Sequence, residues 1–177
     1  MLIFLYGKTG AGKDYIARYL QKNYQFDQLK RPTTRPQRSE REKSYYEFLS
    51  EEDFEERVLS GFIPVHYDFR GWKYGVFRNL GIGNKVLTGD KTTAFSVKTM
   101  AEEQGIKIVL VEVVADEAVR IKRISGREKK PDLKEMARRM KSDDIDYENH
   151  SGIPDKILDN SFGTENIDKI MKEIIYG

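Results

Sequence analysis

A glycine-rich segment near the start of the chain has the residue types and spacing of a phosphate-binding loop. It spans residues 7–14 and reads Gly-Lys-Thr-Gly-Ala-Gly-Lys-Asp. It follows an apolar run over residues 2–6 and precedes residues whose apolar positions recur at helical spacing. Glycines let successive backbone N–H groups face one cavity, and the N-terminus of the following helix adds a positive field. The pattern therefore predicts a loop that binds nucleotide phosphates.

Individual residues of this loop have expected roles. Lys13 is expected to reach the β- and γ-phosphates, and Asp14 stands where a Ser or Thr hydroxyl usually binds Mg²⁺, a task that a carboxylate can also perform. The residues predicted to bind the nucleotide here are Gly7, Thr9, Gly10, Ala11, Gly12, Lys13 and Asp14. The alternative is a glycine-rich turn that carries a lysine by chance. The position between a strand and a helix favours the phosphate site.

Arginines in three groups are candidates for neutralising phosphate oxygens elsewhere. Arg35 and Arg38 lie in a basic segment broken by prolines, and Tyr46 and Tyr74 are plausible companions for holding a second phosphorylated substrate. The other two groups are Arg123 with Arg127 and Arg138 with Arg139. Phosphoryl transfer needs positive groups around the moving oxygens, and arginines on a mobile flap can supply them. The alternative for each group is a solvated surface.

Asp90 is the acidic residue best placed for chemistry after Asp14. It follows a short predicted strand, and ligands collect at the carboxyl ends of parallel strands, so it is a candidate for contact with Mg²⁺ or substrate. It would equally cap the helix expected from Thr92. The two histidines, His66 and His150, lack metal-ligand spacing. The chain has no cysteine, which excludes disulfides, thiolate metal sites and a cysteine nucleophile.

Composition limits the classes of partner. The 177 residues are enough for one domain with a sizeable core. The net charge of +2 does not favour nucleic-acid binding. No apolar run approaches the roughly 20 residues needed to cross a bilayer, and a strand starting at residue 2 leaves no room for a signal peptide. We therefore expect a cytoplasmic protein, a monomer or homodimer, that binds small nucleotides rather than nucleic acid or membrane.

The order of predicted elements indicates an α/β fold. Strands alternate with helices, as in a P-loop NTPase-type parallel sheet covered by helices on both faces. Residues 31–78 interrupt this alternation and are predicted to form a small, mostly β insertion, so that residues 1–30 and 79–177 make the core. The apolar strand expected over residues 107–114 should lie at the sheet centre. We also expect a strand over residues 24–29 and a charged helix over residues 133–147.

Over nearly its whole length, the chain resembles the guanylate kinases, which are P-loop nucleoside monophosphate kinases. Besides the loop, the matching segments are Thr33-Thr34-Arg35-Pro36-Gln37-Arg38, Tyr46-Glu47-Phe48, Ser50-Glu51-Glu52-Asp53-Phe54, Tyr74-Gly75, Arg123-Ile124-Ser125-Gly126-Arg127 and Arg138-Arg139-Met140. The resemblance implies that the insertion binds the monophosphate and that residues 126–139 form a lid over ATP. The implied roles are acceptor-phosphate binding for Arg35, Arg38, Tyr46 and Tyr74, stabilisation of the transferring phosphoryl for Arg127 and Arg139, and ATP-side contacts for Arg123 and Asn160.

Departures from the family concern the groups that read guanine. Arg31 stands in place of a serine, Val65 or the adjacent Pro64 in place of a glutamate, and Val76 in place of a serine or threonine. Thr88 stands in place of the first of two aspartates, of which Asp90 is the second. A site without these polar groups cannot strongly select guanine. Asp14 and the segment 74–76 also resemble the ribose 1,5-bisphosphate kinases, whose acceptor has no base.

The sequence therefore predicts an ATP- and Mg²⁺-dependent phosphotransferase. Its acceptor pocket is expected to include Arg31 and Asp90 besides the phosphate-binding residues, and its catalytic residues are expected to be Lys13, Arg35, Arg127 and Arg139. GMP or dGMP is the first acceptor that the resemblance implies, with ribose 1,5-bisphosphate or another phosphorylated acceptor as the alternative. A non-catalytic guanylate-kinase-like binding module is a further alternative, although such modules typically lose the phosphate loop.

Overall fold

Two β-sheets organise the chain. The structure, a computed structural model, describes residues 1–37, 39–69, 71–126, 137–138, 140–141, 143, 147 and 152–177. The strands are β1 (Leu2–Tyr6), β2 (Asp27–Gln28), β3 (Arg31–Thr33), β4 (Tyr46–Phe48), β5 (Val65–Phe69), β6 (Trp72–Val76), β7 (Lys85–Gly89), β8 (Ile108–Val114) and β9 (Lys156–Asp159). The helices include α1 (Lys13–Tyr24), α2 (Glu51–Leu59), α3 (Lys91–Glu103), α4 (Glu117–Ser125) and α5 (Glu165–Tyr176), with a 3₁₀ helix over Glu40–Ser44.

The larger sheet has five strands in the order β2-β7-β1-β8-β9, and all of its pairings are parallel. Alternate residues of β1 serve the two faces: Ile3 and Leu5 pack in one apolar cluster with residues of α1 and α5, and Phe4 and Tyr6 pack in the other with residues of α3. The predicted α/β fold with a parallel sheet covered on both faces is therefore confirmed.

The strand expected at the sheet centre lies one position away from it. β8 is an inner strand between β1 and β9, whereas β1 occupies the middle. The burial of the two strands agrees with this order, because all five residues of β1 are buried while Val114 at the end of β8 is exposed. The strand expected over residues 24–29 is reduced to Asp27–Gln28.

The smaller sheet is built from residues 31–76 in the order β4-β3-β6-β5. Its strand β3 was missed from the sequence because the segment is basic and contains Pro32; it pairs parallel to β4, with Arg31 opposite Tyr46. The segment Ser50-Glu51-Glu52-Asp53 has the spacing of a capping box, and α2 begins there, since Ser50 Oγ accepts a hydrogen bond of 3.0 Å from the Asp53 backbone N–H. The sheet falls within the expected insertion, and the exact domain boundaries at residues 31 and 78 stay a prediction.

The parallel strands bring several chain segments to one edge. β1 leads into the glycine-rich loop, β7 into Asp90, and β9 into Asn160, so all three lie at the carboxyl edge, where open α/β sheets bind ligands. No helix in the described part of the chain has the length and apolar character needed to cross a membrane.

Candidate active site

The loop between β1 and α1 has the curled backbone of a phosphate-binding loop. Gly7, Gly10 and Gly12 have φ angles of 154°, 83° and 99°. A Cβ atom at Gly7 would lie 2.2 Å from the Val113 carbonyl oxygen, so the close approach of the loop to β8 requires glycine there. Lys13 Nζ donates to the Gly7 carbonyl at 2.5 Å, which folds the lysine over the loop.

Asn160 and Arg123 hold this loop from the side of α4 and β9. The Asn160 side chain is 3% exposed, and its Nδ2 donates to the Ala11 carbonyl at 2.8 Å. Arg123 donates to the same carbonyl at 3.2 Å and to the Asn160 carbonyl at 2.7 Å. Both residues line the same cavity as Gly12 and Asp14. Their predicted contacts with ATP stay a prediction, and the structure adds a role in supporting the loop.

A second support of the loop was not predicted from the sequence. Asp143 accepts hydrogen bonds from the Thr9 backbone N–H at 2.6 Å and from the Thr9 hydroxyl at 3.0 Å. Arg120 completes the network, donating to Asp143 at 3.1 Å and to the Thr9 carbonyl at 2.9 Å. Arg120 is 7% exposed and lies four residues before buried Ile124 on α4. The sequence signal for Arg120 was its position as a charged residue on the apolar face of a helix.

On the opposite side of the cleft, Arg35 is fixed by Glu42. Arg35 is 5% exposed, and its Nη2 and Nη1 atoms lie 2.9 Å and 3.3 Å from the two carboxylate oxygens of Glu42. Burial acts to lower the pKa of Arg35, but the hydrogen bond to Glu42 and its negative charge raise it overall. The predicted acceptor-phosphate arginine is thus already paired with a carboxylate.

Arg31 lies beside Arg35 on the same aromatic ring. Its Nη2 donates to the Tyr46 hydroxyl at 2.6 Å, and its guanidinium carbon lies 4.9 Å from the Tyr46 ring centroid, compared with 5.3 Å for Arg35. Burial acts to lower the pKa of Arg31, but the hydroxyls of Tyr46 and Tyr67 and the carboxylates of Asp14 and Asp90 raise it overall. Arg31 is therefore a stable cation between the loop and the insertion.

Aromatic side chains pack together beside Arg31 and Arg35. The Tyr67 and Tyr74 rings stack with centroids 5.7 Å apart, and the Tyr46 ring meets Tyr74 edge-on at 6.4 Å. Burial, together with the carboxylate of Asp90, raises the pKa of Tyr67, so its hydroxyl stays protonated at neutral pH. The Tyr67 hydroxyl is therefore a neutral hydrogen-bonding group near Arg31.

Asp90 caps α3, as one of its two alternative interpretations predicts. One carboxylate oxygen accepts from the Thr93 backbone N–H at 2.8 Å, and the other accepts from the Thr93 hydroxyl at 2.8 Å. Asp90 also lines a cavity, so contact with a substrate remains open to it.

Two adjoining cavities connect the loop to these side chains. Among the described residues, one cavity of about 920 Å³ is lined by Arg35 and Asn160, and another of about 500 Å³ is lined by Lys13 and Asp90. The residues common to both are Thr9, Gly12, Asp14, Arg31, Tyr46, Phe69, Tyr74 and Thr88. The loop and the arginines of the insertion therefore face one cleft large enough for a nucleotide and a small second molecule.

Three predicted arginines, Arg38, Arg127 and Arg139, lie outside the described residues, as does most of the expected lid. Asp14 is exposed in the first turn of α1 and borders both cavities. No cluster of three or more metal-ligating side chains occurs among the residues that the structure describes. Mg²⁺ in phosphate-transferring sites is held by one or two carboxylates together with the phosphates, so Asp14 fits this ion.

The positions aligned with guanine-reading groups present hydrocarbon. Val65 and Val76 lie opposite each other on β5 and β6. Val76 is 2% exposed in an apolar cluster, against which Val65 also packs. Neither can donate or accept a hydrogen bond from its side chain, so the purine edge would find no polar partner there.

Comparisons with known proteins agree with this architecture. No family profile matches the chain. The ribose 1,5-bisphosphate phosphokinase PhnN of Thiobacillus denitrificans is 26% identical over 149 residues, covering 79% of this chain and 76% of that protein. The crystal structure of guanylate kinase from Anaplasma phagocytophilum superposes with a TM-score of 0.69 at 19% identity, covering 98% of this chain and 84% of the other. The crystal structure of APE1195 superposes with a TM-score of 0.53 at 17% identity, covering 99% of this chain and 94% of the other.

These findings match both resemblances seen in the sequence. The chain has the fold of a guanylate kinase, and its sequence is similar to a kinase of the same type that is named for ribose 1,5-bisphosphate. Together they support a P-loop kinase.

Proposed function

We propose that the chain transfers the γ-phosphoryl group of ATP to a phosphate group of a small acceptor. The observation that carries this proposal is the shared cleft, which has the glycine-rich loop with Lys13 on one wall and Arg31 with Arg35 on the other. Main-chain N–H groups and an ammonium suit the donor phosphates, while guanidinium groups and tyrosine hydroxyls suit the acceptor phosphate. A transfer between two bound phosphates requires such facing sites.

The chemistry needs positioning and charge neutralisation more than acid–base catalysis. An ionised oxygen of the acceptor phosphate attacks the γ-phosphorus, the bond from that phosphorus to the oxygen it shares with the β-phosphate breaks, and ADP leaves. No proton has to be removed, because the attacking oxygen already carries negative charge. Lys13 neutralises the β- and γ-oxygens, and Arg35 orients the acceptor. Asp14 is the residue that we propose to hold Mg²⁺, which neutralises further phosphate charge when bound.

Ribose 1,5-bisphosphate is the acceptor that the site favours. Val65 and Val76 leave no side-chain hydrogen bonds for a purine edge, and Arg31 offers a guanidinium of the kind that suits a phosphate group. The similarity to a phosphokinase named for this sugar bisphosphate points the same way. GMP or dGMP is the second candidate, favoured by the fold similarity to guanylate kinase. The retained loop and Lys13 argue against a non-catalytic binding module.

The proposed function is tested by measuring the rate of ADP release from ATP·Mg²⁺ with five acceptors, which are ribose 1,5-bisphosphate, GMP, dGMP, AMP and UMP. We expect turnover with ribose 1,5-bisphosphate to be fastest and any preference for GMP over other monophosphates to stay below about 10⁴-fold. Lys13→Ala should lower turnover with every acceptor by about 100-fold or more. Lys22→Ala, at the exposed far end of the same helix, is the matched control and should change nothing. A Lys13→Ala protein with near-full kcat would refute the assignment of the loop.

Binding alone separates the kinase from a scaffold module. ATP·Mg²⁺ that binds the folded chain must raise its melting temperature through ligand linkage. We expect a rise in the wild-type protein and a smaller one in Lys13→Ala. A wild-type protein with no shift at saturating ATP·Mg²⁺ would favour the non-catalytic module.

A further inference from the structure

We propose that Arg31 forms a second anion site in the acceptor pocket, so that the acceptor is held through two phosphate groups and Arg31 sets the selectivity for such molecules. The inference rests on the proposed function, because it concerns the acceptor of the same reaction. The fold and the similarity to other kinases do not indicate which residue would hold the second phosphate group.

The charge balance of the pocket is the first reason. Arg35 has a carboxylate partner in Glu42, with two contacts of 2.9 Å and 3.3 Å. The Arg31 side chain, in contrast, makes one hydrogen bond and no salt bridge to the residues that the structure describes, and the partner in that bond is the Tyr46 hydroxyl. A half-buried guanidinium has five donors, and burial of a cation without a direct counter-ion is unfavourable. A bound anion would supply that counter-ion.

The position of Arg31 is the second reason. It borders both cavities, so a ligand bound in the cleft can reach it. A Cβ atom added to Gly89 would lie 3.7 Å from Arg31 Nη1, which puts the guanidinium at the carboxyl end of β7, next to Asp90. Arg31 and Arg35 both lie against the Tyr46 ring. One small molecule with phosphates at its two ends can therefore meet both arginines.

Nearby acidic groups do not replace this missing partner. Asp90 uses its two carboxylate oxygens to accept from Thr93 at the start of α3. Asp14 is exposed on α1 and is the residue that we assign to Mg²⁺. Both carboxylates keep Arg31 charged without forming a salt bridge to it. With respect to the described part of the chain, Arg31 thus remains a cation whose other donors are open to an anionic ligand.

Acceptors that differ by one phosphate group provide the direct test. We would measure kcat and KM for ribose 1,5-bisphosphate, ribose 1-phosphate, ribose 5-phosphate and GMP with wild-type protein and Arg31→Ser. We expect Arg31→Ser to lower kcat/KM for the bisphosphate by roughly 100-fold, mainly through KM, because one charge-assisted phosphate contact is lost. The values for the three monophosphates should fall by a much smaller factor, because none of them has a second phosphate group for Arg31 to hold.

Two further variants and a binding measurement distinguish loss of the phosphate contact from loss of folding. Arg31→Lys retains the charge without the planar geometry and should recover part of the loss, and it also serves if Arg31→Ser does not fold. Arg57→Ser is the matched control, since Arg57 lies in the same insertion but pairs with the exposed Glu47. Its kinetics should equal those of the wild type. Calorimetric titration of the ADP-bound protein with ribose 1,5-bisphosphate measures the same contact without turnover.

Two outcomes would overturn the inference. An equal loss of kcat for all four acceptors would mean that Arg31 contacts the transferring phosphoryl group instead of a second acceptor phosphate. Unchanged kinetics and unchanged calorimetric affinity for the bisphosphate would mean that Arg31 binds no substrate anion. Failure of the proposed function looks different: the wild-type protein would release no ADP with any acceptor and would not bind ATP·Mg²⁺.

Discussion

Arg35 and Glu42 form a two-point salt bridge inside the cleft, with N–O distances of 2.9 Å and 3.3 Å. The side chains are 6% and 21% exposed, so the pair is shielded from water on most sides. The carboxylate fixes the plane of the guanidinium, which therefore meets an incoming phosphate in a defined orientation. Of the two guanidinium groups that lie against the Tyr46 ring, Arg35 therefore has a direct carboxylate partner, and Arg31 has none among the described residues.

Glu42→Gln is expected to lower the free energy of unfolding by about 2 kcal/mol, because a largely buried guanidinium loses its counter-charge. Urea denaturation measures this. Glu47→Gln is the matched control, since Glu47 pairs with Arg57 while both side chains are about 40% exposed, and it should cost under about 1 kcal/mol. Equal costs for the two variants would show that Arg35 is not held by Glu42 in solution.

Asn160→Ala is expected to weaken phosphate binding by loosening the loop. The variant loses the hydrogen bond from Asn160 Nδ2 to the Ala11 carbonyl and should cost about 1–2 kcal/mol of stability. Calorimetric titrations with ATP and with inorganic tripolyphosphate separate two roles of this residue. We expect both ligands to lose affinity by a similar factor. A loss confined to ATP would mean that Asn160 contacts the adenosine part rather than supporting the loop.

Asp143→Asn should have opposite effects on folding and on nucleotide binding. Stability is expected to fall by about 2 kcal/mol, because buried Arg120 loses its carboxylate partner. Affinity for ATP should rise several-fold, because a negative charge is removed from the Thr9 N–H at the phosphate loop. Asp155→Asn, which alters a carboxylate that accepts from the Leu110 N–H away from the loop, is the control and should leave ATP affinity unchanged. Weaker ATP binding in Asp143→Asn would contradict this prediction.

Alkaline pH should destabilise the protein partly through Tyr24. Burial, together with the 2.7 Å hydrogen bond that its hydroxyl donates to Asp168, raises the pKa of Tyr24 to about 12. Because tyrosine titrates near pH 10 in an unfolded chain, the stability gained from this group is complete below about pH 10 and is lost as the pH rises towards 12. Tyr24→Phe should therefore show a shallower loss of unfolding free energy over this interval. Identical slopes for the variant and the wild type would rule this contribution out.

The parts of the site that local sequence determines were predictable. The loop over residues 7–14 follows from glycine spacing between a strand and a helix, and the cap at Ser50 from its own capping box. The pairing of Arg31 with Tyr46 was not, because β3 has three residues, includes Pro32, and finds its partner strand fifteen positions away. The Arg120–Asp143 network joins residues 23 positions apart. Arg120 stands out locally as a charged residue on the apolar face of a helix, but no local pattern indicates that Asp143 is its partner.

The central claim, transfer of phosphate between two bound partners, is tested most directly by following ATP·Mg²⁺ and ribose 1,5-bisphosphate with ³¹P NMR in the presence of the protein. We expect ADP and a new phosphoanhydride signal of the acceptor to appear in equal amounts with the wild-type protein, and neither to appear with Lys13→Ala. ADP accompanied by inorganic phosphate alone, or no reaction with any phosphorylated acceptor, would contradict it.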